Sequence, residues 1–336
     1  MWLHIFCCRW HFWWDRWRAS IYWMSLRSHP LIFAAVLTLA LLFALPASAD
    51  LQLYGRLNVS VERRTEAGGP RFQVGDNASR FGIMEVERTR SGLESGVHLE
   101  MGFDATTGKP YGSGFDRGAE LFFGTPNVKL SMGSVGSTAY LAITDVVSLH
   151  NHDTGISSDA LFAHVEPLQH KMVVTLHADR WTMQAASWRA DPMVTGRAGT
   201  AYLLAWTRPG MSLALSSGQD GVRYERSVRG LWQAGPLELA AYVELDRNVF
   251  GSGRRLLGRV AVAWHAGASE FHVNVAQASA YGGALPGERG ARQRTLGYNY
   301  NLSARSKVYA LATAVYDEGR LYGSRRALAL GVRQNF

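Results

Sequence analysis

Apolar and polar residues alternate with a period of two from about residue 50 to the end of the chain. In "LQLYGRLNVSVE", the side chains of Leu51, Leu53, Leu57, Val59 and Val61 fall on one face and mostly polar side chains fall on the other. This period is that of a β-strand with one apolar and one polar face. No long helical period appears after residue 50, so the pattern predicts an all-β protein.

Strand counting predicts a barrel of about 16 strands, an even number as in bacterial membrane barrels. Tight turns such as Asp179-Arg180 alternate with longer loops such as 247–253. "SSDALFAHVEP" (157–167) is an alternative strand that would reassign region 157–198. The predicted strands are 51–62, 78–88, 95–104, 115–124, 127–133, 169–178, 181–190, 199–207, 210–216, 222–233, 236–246, 254–266, 269–281, 291–302, 306–316 and 324–336.

Soluble β architectures explain the pattern less well than a transmembrane antiparallel β-barrel. A sandwich or propeller also alternates, but a sandwich of this length would need several domains, and the sequence shows neither a linker nor a fixed repeat. Many predicted strands have ten or more residues, which suits a tilted span of the bilayer. Aromatic residues near strand ends, such as Trp206, Trp232 and Trp264, are typical of interfacial girdles and are also common in ordinary strands.

The C-terminus "ALALGVRQNF" continues the alternation to the last residue. Leu328, Leu330, Val332 and Phe336 share one face. A barrel leaves no unpaired edge because its last strand bonds to its first. The sequence therefore predicts closure through a terminal strand that ends at Phe336.

The N-terminal region has the layout of an export signal rather than of folded protein. From Met24, a basic start with Arg27 precedes an apolar run of about 15 residues and an Ala47-Ser48-Ala49 cleavage site. The run is short for a spanning helix, although a retained anchor is the alternative. We predict a signal peptide at 24–49 and a β-barrel domain at 50–336. We interpret residues 1–23 as an extension that results from a start codon assigned too early, with Met24 as the true start.

Charge and cysteine content add little to these predictions. The full chain has 35 basic and 27 acidic residues, and removal of residues 1–49 leaves a net charge of +5. Both cysteines, Cys7 and Cys8, lie in the predicted extension 1–23, so the exported chain would contain no disulfide. The basic residues are interspersed and not clustered, which argues against a nucleic-acid partner.

The mature chain resembles the general trimeric porins of Gram-negative bacteria. "LQLYGRLNVSVE" is similar to that family's first strand, "ASRFGIMEVERTRSGLESGVHLEMGFDATTG" to its second and third, and "YNYNLSARSKVYALATAVYDE" with "LGVRQNF" to its last strands. The resemblance implies a 16-stranded outer-membrane barrel, a homotrimer, and passive diffusion of small polar solutes and ions. It also implies that a long third loop, 134–168, folds into the pore. It further implies that the outer-membrane insertion machinery recognises the terminal residue, Phe336.

The resemblance places the selectivity site at a constriction between the wall and the third loop. Arg56 in "LYGR", Arg80 in "SRFG" and Arg117 in "FDRGA" match the basic wall positions, and alternation independently points Arg56 into the lumen. The alternative is that they are ordinary surface arginines. On the loop, where the family's Pro-Glu-Phe-Gly run is missing, Asp145 and Asp153 are the chosen acidic residues. Three arginines and the net positive charge predict a weak preference for anions.

Other chemistry has weaker support in the sequence. "HNHD" (150–153) could contribute metal ligands, but no further ligand follows nearby, and we predict neither a metal nor a cofactor. G-x-S-x-G, H-E-x-x-H and Walker motifs do not occur, and we predict no enzymatic activity. The alternatives to a porin are an outer-membrane hydrolase and a structural or adhesive barrel with a plugged lumen.

Overall fold

The computed structural model describes residues 48–66, 68–149, 159–190, 196–282, 290–317 and 323–336. The predicted extension 1–23 and the signal peptide 24–49, except its last two residues, lie outside them. The chain divides into two compact units, and the larger one, Ala49–Arg88 with Gly92–Phe336, contains the barrel. In the described residues, no helix combines the length and apolar character needed to cross a membrane.

In the described residues, eighteen strands form one antiparallel sheet. β2 and β3 are two parts of one spanning strand interrupted at 77–79, and β5 is a two-residue strand in a loop, which leaves the 16 spanning strands that the sequence predicts. The strands are β1 (Ser48–Glu66), β2 (Gly69–Asp76), β3 (Arg80–Arg88), β4 (Glu94–Asp104), β5 (Lys109–Pro110), β6 (Gly118–Thr125), β7 (Val128–Ser134), β8 (Lys171–Ala178), β9 (Trp181–Trp188), β10 (Gly199–Arg208), β11 (Met211–Asp220), β12 (Arg223–Ala234), β13 (Leu237–Arg247), β14 (Arg254–Ala266), β15 (Ser269–Ala278), β16 (Ala291–Asn301), β17 (Ser306–Asp317) and β18 (Arg325–Asn335).

The last strand closes the barrel on the first, as the C-terminal pattern predicts. β18 pairs antiparallel with β1 in a register that sets Arg56 opposite Asn335 and Val61 opposite Leu330. Phe336 continues this ladder, because its backbone exchanges hydrogen bonds of 3.0 and 3.1 Å with Gly55. The sheet therefore has no free edge at this seam.

In a soluble protein the apolar face of a sheet is buried and the polar face is exposed, but this sheet has the reverse arrangement. On β1, Leu57 and Val61 are 43% and 60% exposed, whereas Asn58, Ser60 and Glu62 are at most 3% exposed. Apolar side chains thus face outward and polar ones face the lumen. Such a surface suits contact with lipid, so the soluble sandwich and propeller alternatives are wrong.

Two boundary predictions need correction. β2 lies between the predicted strands 51–62 and 78–88, because Phe72 and Val74 pair with Arg63 and Val61 of an extended β1. Gly69, with φ of +94°, provides the tight turn between them. The alternative strand at 157–167 is wrong in its described part, since residues 159–168 have no strand structure.

The two rims of the outward face carry different residue types. The rim at the tight turns, here the turn end, is aromatic, and the rim at the long loops, here the loop end, is rich in arginine. Outward aromatic residues near the turn end are Trp181, Trp206, Trp232, Trp264, Phe271 and Tyr300. Outward arginines near the loop end are Arg63, Arg226, Arg247, Arg254, Arg292, Arg294 and Arg326.

Candidate pore constriction

The segment between β7 and β8 packs against the inner wall of the barrel. It contains a helical turn at Tyr140–Thr144 followed by a short helix at Asp145–Ser148. Ile143, Leu161 and Phe162 are at most 5% exposed and belong to one apolar cluster with inward-facing residues of β10 to β18. Both described parts of the segment, before 150 and after 158, are thus held inside. How far the predicted third loop narrows the pore stays a prediction.

Side chains of β12, β13 and β15 hold the segment to the wall by hydrogen bonds to its backbone. The Ala163 N–H donates to Oε1 of Glu244 and the Val165 N–H donates to Oε2 of Glu225, each at 3.1 Å. Asn274 Nδ2 donates to the Ser148 carbonyl at 3.2 Å. We call Glu225, Glu244, Asn274 and the two β14 arginines Arg255 and Arg259 the docking wall.

Part of the buried charge on the docking wall is compensated: Glu244 has an arginine partner, whereas Oε1 of the buried Glu225 has no hydrogen-bond partner in the described residues. Arg255 of β14 contacts Glu244 at 3.3 Å and Asp246 at 2.6 Å, and all three side chains are at most 1% exposed. Arg259 stacks on Tyr242 at 5.4 Å from the ring centroid. Because a buried carboxylate is costly without a partner, these contacts are what allows the wall to present acceptors to the loop.

A second network anchors the two ends of the segment to each other. Glu166 accepts hydrogen bonds from the Thr138 N–H at 2.7 Å and from Lys171 Nζ at 2.8 Å. Lys171 also donates to the Gly136 carbonyl at 2.9 Å. The Lys171–Glu166 pair is fully buried, so it ties the start of the segment to its end at β8.

Two of the predicted arginines meet at one carboxylate on the opposite wall. Arg117 Nε donates to Oε1 of Glu100 at 2.7 Å, and Arg80 Nε lies 3.8 Å from Oε2. The Tyr54 hydroxyl also donates to Oε2 of Glu100, at 2.8 Å. Tyr54 lies flat over Gly82, where any Cβ atom would collide with its ring, so this glycine permits the contact. β4, which carries Glu100, and β13 are half the circumference apart.

The third predicted arginine joins a different pair. Arg56 Nε and Arg333 Nε both donate to Oδ1 of Asn335 at 3.2 Å, so the two guanidinium groups share one neutral acceptor. Lys307 is opposite Arg333 in the β17–β18 register and lies 3.6 Å from Glu270. We call the set Arg56, Arg80, Arg117, Lys307 and Arg333 the cationic wall.

Each predicted site residue has a defined position or lies outside the described part. Arg56, Arg80 and Arg117 all face the lumen. Asp145 begins the short helix, whose neighbours Thr144 and Ser148 are bonded to the docking wall. Asp153 lies outside the described residues.

Sequence reasoning missed Arg333, Lys307 and the acceptors Glu100 and Glu270. The signal was present for Arg333, because the alternation in "ALALGVRQNF" places it on the face opposite Leu328 and Leu330. No comparable signal identified Glu225 or Glu244 as partners of the loop, since those contacts join residues 60 to 81 positions apart.

Part of the cationic wall remains accessible to solvent inside the barrel, whereas Arg56 and Arg333 are buried, at 7% and 8% exposure. The side chains of Arg117 and Arg80 are 35% and 19% exposed, and that of Glu100 is 14% exposed. A plugged lumen would instead bury these arginines against their carboxylate. Charged groups that keep water around them can exchange hydrogen bonds with a passing ion or polar solute.

No metal centre is evident in the residues that the structure describes, where no three histidine, cysteine, aspartate or glutamate side chains are grouped suitably. His150, His152 and Asp153 of "HNHD" lie outside those residues. His272 contacts Glu270 at 3.5 Å and Asn299 at 3.2 Å, so it belongs to the same network as Lys307. This arrangement is electrostatic and differs from a histidine poised on a nucleophile.

Comparison with known proteins agrees with this architecture. Residues 34–170 match a family model described as Gram-negative porin. The anion-selective porin from Comamonas acidovorans superposes with a TM-score of 0.70 at 16% identity, over 86% of this chain and 100% of that chain. OmpT of Vibrio cholerae in its trimer form gives 0.67 at 13% identity, over 86% and 100%. A mutant of the Rh. blastica porin gives 0.66 at 14% identity, over 85% and 100%. No curated protein sequence matches the chain.

Proposed function

We propose that this chain is a Gram-negative porin and that it forms a water-filled channel through the outer membrane for small hydrophilic solutes and ions, on the basis of the match of residues 34–170 and of its fold. The observation that carries this proposal is the cationic wall, of which Arg80 and Arg117 face the lumen and keep solvent exposure. A membrane channel requires a closed barrel with an apolar outward face and a charged interior.

We propose that the channel favours anions weakly. The cationic wall has five basic side chains and two carboxylates in contact with them, Glu100 and Glu270. The excess positive charge raises the local concentration of anions along this path. The structurally similar porin from Comamonas acidovorans is described as anion-selective, which supports the direction. Buried carboxylates of the docking wall limit the preference.

Single-channel recording in planar bilayers tests the proposal. A salt gradient should give a reversal potential of the sign expected for anion preference, and the preference should decrease at high salt because screening shortens to a few ångströms, about 3 Å at 1 M. A barrel with no measurable conductance would contradict the channel, and cation preference would contradict the selectivity alone.

We also propose the assembly and export of the chain. The mature protein begins at Asp50 after cleavage of residues 24–49, and three copies associate, with OmpT of Vibrio cholerae as a precedent for a trimer. Insertion machinery recognises the terminal strand ending at Phe336. N-terminal sequencing of the membrane-embedded protein checks the first statement, and light scattering in mild detergent checks the second. Retention of residues 24–49, or a monomer, would be the contrary results.

We propose no catalytic role. A barrel hydrolase needs a histidine within hydrogen-bond reach of a nucleophile at the rim. Among the described histidines on the lumen side of the strands, His98 and His177 contact the hydroxyls of Tyr54 and Thr182 at 2.6 and 3.1 Å. His265 and His272 contact Glu238 and Glu270 at 3.4 and 3.5 Å. These contacts fit an electrostatic wall, so the channel remains the function that the geometry supports best.

A further inference from the structure

Two arginines on the inner face of the barrel are buried and, in the described part of the chain, have no carboxylate partner. Arg229 of β12 is 5% exposed, and Arg259 of β14 is 2% exposed. Arg255, the next inward arginine along β14, is by contrast paired with Glu244 and Asp246. Arg229 and Arg259 therefore bring two positive charges into the interior that no described residue neutralises.

Several N–H groups of these two side chains lack an acceptor. Nε of Arg229, and both Nε and Nη2 of Arg259, are buried and have no hydrogen-bond partner among the described residues. Nη1 of Arg259 donates to Oγ1 of Thr144 at 3.4 Å. Because buried polar groups in folded proteins are nearly always hydrogen-bonded, the three unpartnered nitrogens indicate that an acceptor belongs at this position.

The strand register places the two arginines at the same height on the wall. Tyr242 of β13 pairs with Arg229 on one side and with Arg259 on the other. The two backbones are therefore two strand spacings apart, about 10 Å, and both side chains point into the barrel. Arg259 lies over the Tyr242 ring, 5.4 Å from its centroid. This contact offsets part of the charge of Arg259, but the ring face gives no acceptor in the plane of the guanidinium N–H groups.

The surroundings of Arg229 are apolar and covered by the segment after β7. The helical turn Tyr140–Thr144 contacts β11 and β12. Ala214, which is opposite Arg229 in the β11–β12 register, belongs to the same apolar cluster as Ile143 and Tyr242. A charge in such surroundings is costly unless it is paired. A buried lysine or glutamate can become neutral, but an arginine cannot lose its proton in a protein, so it needs a counterion.

From these observations we infer that a small inorganic anion binds between Arg229 and Arg259, beneath the helical turn Tyr140–Thr144. The anion accepts hydrogen bonds from the unpartnered N–H groups of both arginines and neutralises their charge. Since Arg259 also donates to Thr144, the bound anion stabilises the contact between the segment and the wall. The site is separate from the cationic wall and serves the stability of the fold, so it goes beyond the proposed channel and does not depend on it.

Thermal unfolding in neutral detergent, with chloride replaced stepwise by gluconate at constant ionic strength, tests the site. When chloride exceeds its dissociation constant, each tenfold increase in its concentration should multiply the ratio of folded to unfolded wild-type protein by about ten. R229M/R259M removes the donors and keeps long side chains, so it should lose this dependence. The matched control R226M/R254M removes one outward, exposed arginine from each of the same two strands and should retain it.

Crystals grown in sodium bromide locate the ion directly, because anomalous scattering should give a bromide peak between the two guanidinium groups. An unfolding temperature of the wild type that does not change with chloride would overturn the inference and assign the counterion to a carboxylate of the chain. Equal chloride dependence in R229M/R259M and R226M/R254M, or bromide peaks only elsewhere, would also overturn it. If R229M/R259M does not fold, the chloride dependence of the wild type and the bromide peak together decide.

Discussion

The cationic wall and the docking wall both carry rows of charged side chains into the lumen, but they differ in burial. Arg80 and Arg117 keep 19% and 35% of their side-chain surface exposed around Glu100. On the docking wall, Arg255 and Glu244, with the neighbouring Asp246, are at most 1% exposed, and Arg255 donates hydrogen bonds to both carboxylates. The same residue types therefore hold protein at one wall and, in the proposed channel, meet passing ions at the other.

This difference follows from what covers each wall. The segment after β7 covers the docking wall and excludes water from it. The carboxylates of the wall therefore lie in a low-dielectric environment, where they accept hydrogen bonds from the backbone N–H groups of Ala163 and Val165. On the cationic wall, no described loop segment is bonded over Arg80 and Arg117, so their charges stay exposed to the lumen and are subject to screening by salt. Burial, and not charge type, distinguishes the contacts that hold the loop from the exposed arginines Arg80 and Arg117 of the proposed selectivity site.

Breaking the docking wall should give the largest effect. Glu244→Ala removes the acceptor of the Ala163 N–H and one partner of the buried Arg255. Loss of one member of a buried pair costs about 3–5 kcal/mol. We expect lower stability in denaturant titration, and a larger, noisier conductance as the loop loosens.

Glu244→Gln is the matched control for that prediction. Its amide oxygen can still accept from the Ala163 N–H, while Arg255 keeps Asp246 as a partner. The effect should be intermediate. Glu87→Ala, an exposed carboxylate near the turn end, should change stability by no more than about 0.5 kcal/mol. Similar behaviour of Glu244→Ala and Glu87→Ala would contradict a structural role for the docking wall.

Alternation predicts the barrel only together with strand length and the spacing of turns and loops, but it gives the direction of Arg56 by itself, because a polar residue next to Leu57 in a lipid-facing strand must point inward. The same rule could have found Arg333. It could not find the pairing of Arg80 with Arg117 through Glu100, which depends on the register of β3 against β4. β2 was missed because "AGGPRF" resembles a loop, and only pairing with β1 makes it a strand.

Removing charge from the cationic wall should give the next largest effect. We expect Arg56, Arg80 and Arg117 changed together to Ser to shift the reversal potential toward cations and to raise conductance. The physical reason is that three positive charges and three long side chains leave the aqueous path. Recording under a salt gradient in planar bilayers measures both quantities.

The control for charge is a triple change on the lipid-facing side. Arg226, Arg247 and Arg254 changed together to Ser remove the same net charge from outside the lumen. This variant should keep the wild-type reversal potential. If both triple variants behave alike, selectivity reflects the overall charge of the protein and the site assignment fails.

Residues that only the structure identifies should sharpen the comparison with smaller shifts. Lys307→Ser removes one positive charge, and Glu270→Gln removes its partner at 3.6 Å. The reversal potential should move toward cations in the first variant and toward anions in the second, each by less than in the Arg56, Arg80 and Arg117 variant. Shifts of the same sign would show that this pair acts through structure and not through its charge.

The smallest expected effect concerns pH and the loop held by the docking wall. Burial lowers the pKa of His164 below its usual 6.5, and its ring packs at 6.0 Å from Tyr140 while Nδ1 lies 3.1 Å from the Glu166 carbonyl. The folded protein favours the neutral ring, so the unfolded chain takes up a proton first as the pH falls. The contribution of His164 to stability is therefore complete above pH 6.5 and decreases below it.

Thermal unfolding at pH 7.5 and 5 should show a larger decrease in unfolding temperature for the wild type than for His164→Phe, whose ring cannot be protonated. The cationic wall is not involved, so the reversal potential of His164→Phe should equal that of the wild type at pH 7.5. An identical pH dependence of stability in the two proteins would show that His164 is accessible to protons in the folded state.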